Sequence, residues 1–113
     1  MEPKEFDFEF PRGDTCTLKF DLTDSNDLEL DTSKSFELTM TARDNTKAIV
    51  FQKKYSLGTI TISGKEVSII IKHSDTENLN MGGKYKYDIE FRSGDYYKTI
   101  YKGVISLGEE QTY

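Results

Sequence analysis

Apolar residues recur at every second position through most of this chain, and the cleanest run is Tyr85-Lys86-Tyr87-Asp88-Ile89-Glu90-Phe91. Tyr85, Tyr87, Ile89 and Phe91 share one parity, while Lys84, Lys86, Asp88 and Glu90 share the other. A period of two predicts a strand with one buried and one wet face. Glu5-Phe6-Asp7-Phe8-Glu9-Phe10 alternates in the same way, with Pro11 to end it. Arg12-Gly13-Asp14 reads as a tight turn, and Thr15 to Thr23 as a second strand with Cys16, Leu18, Phe20 and Leu22 inward. The two runs form either a hairpin or a corner at which the chain changes sheets.

Residues 24–34 are polar and turn-rich, so they predict a long loop. Ser35 to Arg43 resumes the alternation with Phe36, Leu38, Met40 and Ala42, and Asp44-Asn45-Thr46 turns the chain. Lys47 to Tyr55 crowds Ala48, Ile49, Val50 and Phe51 together, a pattern without clear parity that suits an edge strand. Gly58 to Ser63 predicts a short strand. After a Gly64-Lys65 turn, Glu66 to Lys72 predicts another, with Val67, Ile69 and Ile71 inward and charges at its flanks as protection against edge pairing. Ser74-Asp75-Thr76-Glu77 has capping-box spacing and predicts one helical turn. Arg92-Ser93-Gly94-Asp95 is a hairpin turn before a last strand from Tyr96 to Leu107. There Ile100 belongs to one parity and Ile105 and Leu107 to the other, so a bulge at Gly103 is expected to restore the inward phase.

Seven or eight strands with turns every 8 to 12 residues and no helical stripe predict an all-β, immunoglobulin-like antiparallel sandwich with at most one short helical turn. Leu79-x-x-x-x-x-Tyr85, through the irregular Gly82-Gly83 corner, has the spacing of a tyrosine corner, in which Tyr85 bonds back to upstream backbone. Tyr85 as an ordinary core aromatic is the alternative. Tyr85, Gly82, Gly83 and Gly103 are thus the expected structural positions.

Composition adds limits. The 113 residues are expected to form a single domain, 1–113, large enough to bury about two-thirds of the unfolded surface. A single cysteine forms no internal disulfide, and Cys16 reads as a buried, inert thiol. The opening Met-Glu-Pro-Lys-Glu lacks the features of a signal peptide, and no apolar run approaches the roughly 18 residues of a membrane span. Synthesis in the cytoplasm, with no membrane partner, is the expectation. Net charge is −5, and residues 1–31 hold ten acids against Lys4, Arg12 and Lys19, which is −7 and leaves +2 for the remainder. Nucleic acid is an unfavourable partner for such a balance.

Candidate chemistry is sparse. Arg12-Gly13-Asp14 matches an adhesion tripeptide, yet Gly between charged residues is ordinary turn chemistry. Asp24, Asn26 and Asp27 could offer oxygen ligands to calcium, but the segment fails the EF-hand pattern, and a solvated loop is the reading adopted. His73 has no second imidazole with which to build a zinc site and is expected at the surface. No carboxylate pair can be assigned as acid and base, so no cofactor, metal or catalytic residue is expected. Tyr96, Tyr97 and Tyr101 occupy both parities of one strand, so at least one should face outward as an interface residue.

Arg12-Gly13-Asp14-Thr15, the Asp75-Thr76-x-x-Leu79 segment leading to Gly82-Gly83-x-Tyr85-x-Tyr87-Asp88-Ile89, and Thr99-Ile100-x-x-Gly103-x-Ile105 together resemble small phage and prophage structural proteins. The likeness is to the Ig-like N-terminal domain of upper baseplate proteins of Gram-positive phages, and it spans nearly the whole chain. The usual Val-Thr after the last strand is replaced here by Gly108-Glu109-Glu110-Gln111-Thr112. The resemblance implies a non-catalytic tail or baseplate module, resident in the virion once assembled. It would bind other phage structural proteins, or copies of itself, in a symmetric assembly. Two other classes stay open: a phage-encoded acidic inhibitor of a host protein with a basic surface, and a carbohydrate or adhesion module, which the absence of Trp disfavours.

Overall fold

The computed structural model describes residues 3–23, 30, 35–79 and 83–108. Within them the strands are β1 (Lys4–Glu5), β2 (Phe8–Pro11), β3 (Cys16–Asp21), β4 (Glu37–Arg43), β5 (Ile49–Lys54), β6 (Ile60–Ser63), β7 (Glu66–Ile71), β8 (Lys84–Ser93) and β9 (Tyr96–Gly108). A larger sheet has the order β1-β9-β8-β4-β5, with β2 continuing beside β9, and a smaller sheet has the order β3-β7-β6. The fold is the expected all-β, immunoglobulin-like sandwich. β1 and β2 run along β9 in one register, so the pair forms one interrupted strand and the count is eight.

Burial follows the alternation. Tyr85, Tyr87, Ile89 and Phe91 of β8 are buried, as are Leu38, Met40 and Ala42 of β4, and Val67, Ile69 and Ile71 of β7 close the core from the other sheet. Each such aliphatic or aromatic side chain contributes about 1.5–3 kcal/mol when withdrawn from water. These periodic positions therefore set the two-layer architecture, and the turns only connect it.

The chain changes sheets at Arg12-Gly13-Asp14: β2 belongs to the larger sheet and β3 to the smaller, which decides against a hairpin. β1 and β2 pair parallel with β9, whereas the other pairings are antiparallel. β5 is the edge strand that its irregular parity suggested. Ala42 faces Phe51 and Arg43 faces Ile49, so Val50 is an extra, bulged residue that explains the run of neighbouring apolar side chains.

Two local expectations need correction. The bulge of the last strand lies at Ile100 and not at Gly103: Ile89 faces Tyr101 and Glu90 faces Thr99, leaving Ile100 unpaired in the ladder and buried. The phase has already been restored when the strand reaches Gly103, which is a regular partner of Tyr87. The helical turn, α1, spans His73–Thr76 with Lys72 as its N-cap, and the Asp75 carboxylate accepts from the Lys72 amide at 2.7 Å. Ser74 therefore lies inside the turn and does not cap it. A second single turn, a 3-10 turn at Tyr55–Leu57, is closed by Gly58 at φ 76. Asp24, Asn26, Asp27 and Gly82 lie outside the described residues.

Candidate functional site

One of the aromatic groupings lies at the end of the larger sheet where the β8–β9 hairpin turns. Phe36 stacks on Tyr55 at 5.0 Å between ring centroids and on Phe91 at 5.6 Å, and Phe91 meets Tyr96 edge-on at 6.2 Å. Such pairs add about 0.5–1.5 kcal/mol each beyond burial, so the four rings hold this end rigid. Phe91 is buried, whereas Tyr55 and Tyr96 keep exposed edges. Tyr97 turns to the opposite face of the sheet, 58% exposed, with the Arg92 guanidinium 5.6 Å from its ring centroid. Leu57, on the 3-10 turn that carries Tyr55, is 72% exposed. Phe36 and Tyr97 also line a shallow groove of about 490 Å³ with Ser35, Glu37, Arg92 and Gly94.

The Glu37 carboxylate accepts from the amides of Leu38 and Ser56 at 3.1 and 3.0 Å, tying the start of β4 to the 3-10 turn. Burial alone would raise its pKa, but the hydrogen bonds from Ser56 and Leu38, with the nearby Lys54 charge, outweigh that and hold it below its ordinary value.

Tyr101 does not join the exposed tyrosines. It lies on the inner side of β9, half-buried, with its ring 4.7 Å from Phe20 and the Lys4 ammonium 5.9 Å from its centroid. The Ile100 bulge explains this, because it returns Tyr101 to the core-facing set. Of the three tyrosines singled out in sequence, only Tyr96 and Tyr97 share the hairpin end. Phe36, Tyr55 and Leu57 were missed as members of this surface. Contact between residues so far apart in the chain leaves no local periodicity, and the Tyr-Ser-Leu-Gly run closing a 3-10 turn was the one available signal.

Gly103 and Tyr87 form a second constellation, and its role is structural. The Tyr87 hydroxyl donates to the Phe6 carbonyl, which lies directly over Gly103. A Cβ at Gly103 would stand 2.0 Å from the Phe6 oxygen and 2.9 Å from the Tyr87 ring, so only glycine leaves room. Next to this break in the ladder, the Asp7 carboxylate accepts from the Val104 amide at 2.8 Å, in place of a backbone acceptor. Burial, followed by the negative charge of Asp7, raises the Tyr87 hydroxyl well above the usual tyrosine range and keeps it a donor. Tyr85 is buried on the same strand. A tyrosine-to-upstream-backbone bond thus exists on β8, from Tyr87 to Phe6.

Arg12-Gly13-Asp14 is docked onto α1. The Arg12 guanidinium donates to the Leu79 carbonyl at 3.1 Å, the Gly13 amide donates to the Thr76 hydroxyl at 2.9 Å, and His73 Nδ1 lies 2.5 Å from the Gly13 carbonyl. His73 Nε2 is 2.7 Å from the Glu77 carboxylate, so both ring nitrogens face acceptors. His73 is exposed, as expected, yet it clips two segments together. Lys53 points inward from edge strand β5, only 5% exposed, and pairs with Asp75 of α1 at 2.5 Å. Cys16 is half-buried in β3, and burial raises its thiol, keeping it protonated. Among the described residues, no group of three or more His, Cys, Asp or Glu could hold a metal ion, and no helix is long and apolar enough to cross a membrane.

The fold defines the class as a β-sandwich. In comparisons with known proteins, no family model and no curated protein matches the chain.

Proposed function

We propose that this chain is a non-catalytic assembly module, a structural protein of a phage or prophage particle in its tail or baseplate, acting through the aromatic end of its larger sheet. The observation that carries the reading is the exposure of Tyr96, Tyr97 and Leu57 around the rigid Tyr55–Phe36–Phe91–Tyr96 chain of rings. Tyrosine presents a large apolar body with a polar tip at low cost in side-chain entropy, which favours it at protein interfaces. A preformed ring cluster has little conformational freedom left to lose on binding. The sequence resemblance to Ig-like baseplate domains supports the same reading, because a rigid sandwich with a contact surface at one end suits a repeated building block.

The test is mass spectrometry of particles purified from induced cultures of the source bacterium. Copies at a defined ratio to the tail proteins support the proposal. Absence from particles, with the protein abundant in the lysate, rejects it and favours a host target.

A further inference from the structure

His73 stands where α1 receives the Arg12-Gly13-Asp14 corner, at which the chain leaves β2 of one sheet for β3 of the other. A neutral imidazole carries one N–H and one bare lone pair, so it can donate to only one acceptor. His73 is flanked by two acceptors: the Gly13 carbonyl lies 2.5 Å from Nδ1 and the Glu77 carboxylate 2.7 Å from Nε2. Only the protonated ring donates to both. Loss of the proton sets a lone pair against an oxygen at one of the two positions, whichever tautomer remains. A hydrogen bond to an ionised acceptor is the stronger of two such bonds. The neutral ring therefore keeps its proton on Nε2, toward Glu77, and turns a bare Nδ1 on the Gly13 carbonyl.

The charges on the surrounding elements leave this preference standing. On α1, the Asp75 carboxylate is paired with Lys53 of β5 at 2.5 Å and accepts from the Lys72 amide at 2.7 Å, so that pair is compensated internally. In the corner, the Arg12 guanidinium is turned to the Leu79 carbonyl at 3.1 Å, and Asp14 is exposed. Lys72, which follows β7, is exposed as well. Glu77 touches the ring directly.

Two further bonds hold the corner whatever the state of the ring. The Gly13 amide donates to the buried Thr76 hydroxyl at 2.9 Å, and Arg12 keeps its bond to Leu79. Neither involves a group that titrates near neutrality, so the corner loosens on deprotonation without detaching.

We propose that His73 is a pH-operated clip: the imidazolium locks the Arg12-Gly13-Asp14 corner onto α1, and the neutral ring releases the Gly13 carbonyl. Histidine is the side chain whose ordinary titration lies in the physiological range. Because the folded chain favours the charged ring, the clip is closed below the ordinary histidine value and is lost as pH rises through the folded midpoint. Mild acid thereby tightens the joint between the two sheets.

The experiment follows the Cε1–H NMR signal of His73, the sole histidine, in the full chain through neutral pH, together with hydrogen-exchange protection of the Gly13 amide. Expected is a His73 midpoint above the ordinary value of about 6.5. Protection at Gly13 should fall roughly threefold as pH rises through that midpoint, the weight of one modest hydrogen bond. Glu77→Gln should lower the midpoint, and His73→Gln, which keeps a donor but does not titrate, should abolish the step at Gly13. The proposal is overturned by a midpoint at or below the ordinary value, by Gly13 protection that does not change through it, by a midpoint indifferent to Glu77→Gln, or by a step that persists in His73→Gln.

Discussion

At the scale of single residues, Gly103 shows how a position can be picked out by sequence for one reason and required for another. It stands out as the small residue where parity slips, yet the slip occurs at Ile100, and Gly103 is needed because the Phe6 carbonyl passes over it. Gly103→Ala must displace that backbone, an overpacking cost of about 1–3 kcal/mol. Tyr87→Phe, which leaves the packing but removes the donor, should cost about 1 kcal/mol. Urea denaturation of both variants checks this, and a Gly103→Ala chain as stable as the parent would contradict the close approach. Lys53 is the other residue whose role was hidden: a lysine in Gln-Lys-Lys reads as solvated, and only the sheet edge and α1 together bury it. Removing its partner in Asp75→Ala strands a buried charge and an uncapped turn and should cost about 3–5 kcal/mol. Lys53→Met, of similar volume, should cost far less, and equal losses from the two substitutions would refute a desolvated pair.

At the scale of elements, β8 was legible because its two faces meet opposite environments, so a period of two is written into consecutive residues. β4 and β7 were readable for similar reasons, whereas at Arg12-Gly13-Asp14 alternation left a hairpin and a sheet change equally open and only the two-sheet pairing decides between them. Both bulges were read less well. A bulge is one residue counted against a partner strand, and nothing in β9 alone distinguishes an extra Ile100 from a kink at Gly103. Parallel addition of β1 and β2 to β9 was hidden too, since alternation is the same in either direction of pairing. Of the candidate surface, Tyr96 and Tyr97 were legible from aromatic density. Phe36, Tyr55 and Leu57 join them only through tertiary contact. The interrupted first strand makes its own prediction: Asp7→Ala removes the acceptor of the Val104 amide. Hydrogen exchange at Val104 should accelerate by about tenfold or more while the amides of β7 keep their protection. Unchanged exchange at Val104 would show that the carboxylate does not hold this end of the strand.

At the scale of the whole molecule, the sandwich is a frame that presents an aromatic cluster at one end of its larger sheet, and acid should loosen that end. Glu37, which joins β4 to the turn carrying Tyr55 and Leu57, has a pKa held below its ordinary value in the folded chain. As pH falls, the unfolded chain takes up this proton first, so the stabilisation is present above the unfolded value and is lost as pH drops through the folded one. The denaturation midpoint should decline below the ordinary glutamate range, less steeply in Glu37→Gln, and identical pH profiles would remove Glu37 from the account. The central claim, assembly through the aromatic end, is tested most directly by particle incorporation. The parent chain and a Tyr96→Lys/Tyr97→Lys variant, first shown to have equal melting temperatures, would be expressed separately in cells lacking the native copy, and purified particles would be quantified by mass spectrometry. The account predicts the parent at a fixed ratio to tail proteins and the variant depleted at least tenfold; equal incorporation of both chains would contradict it.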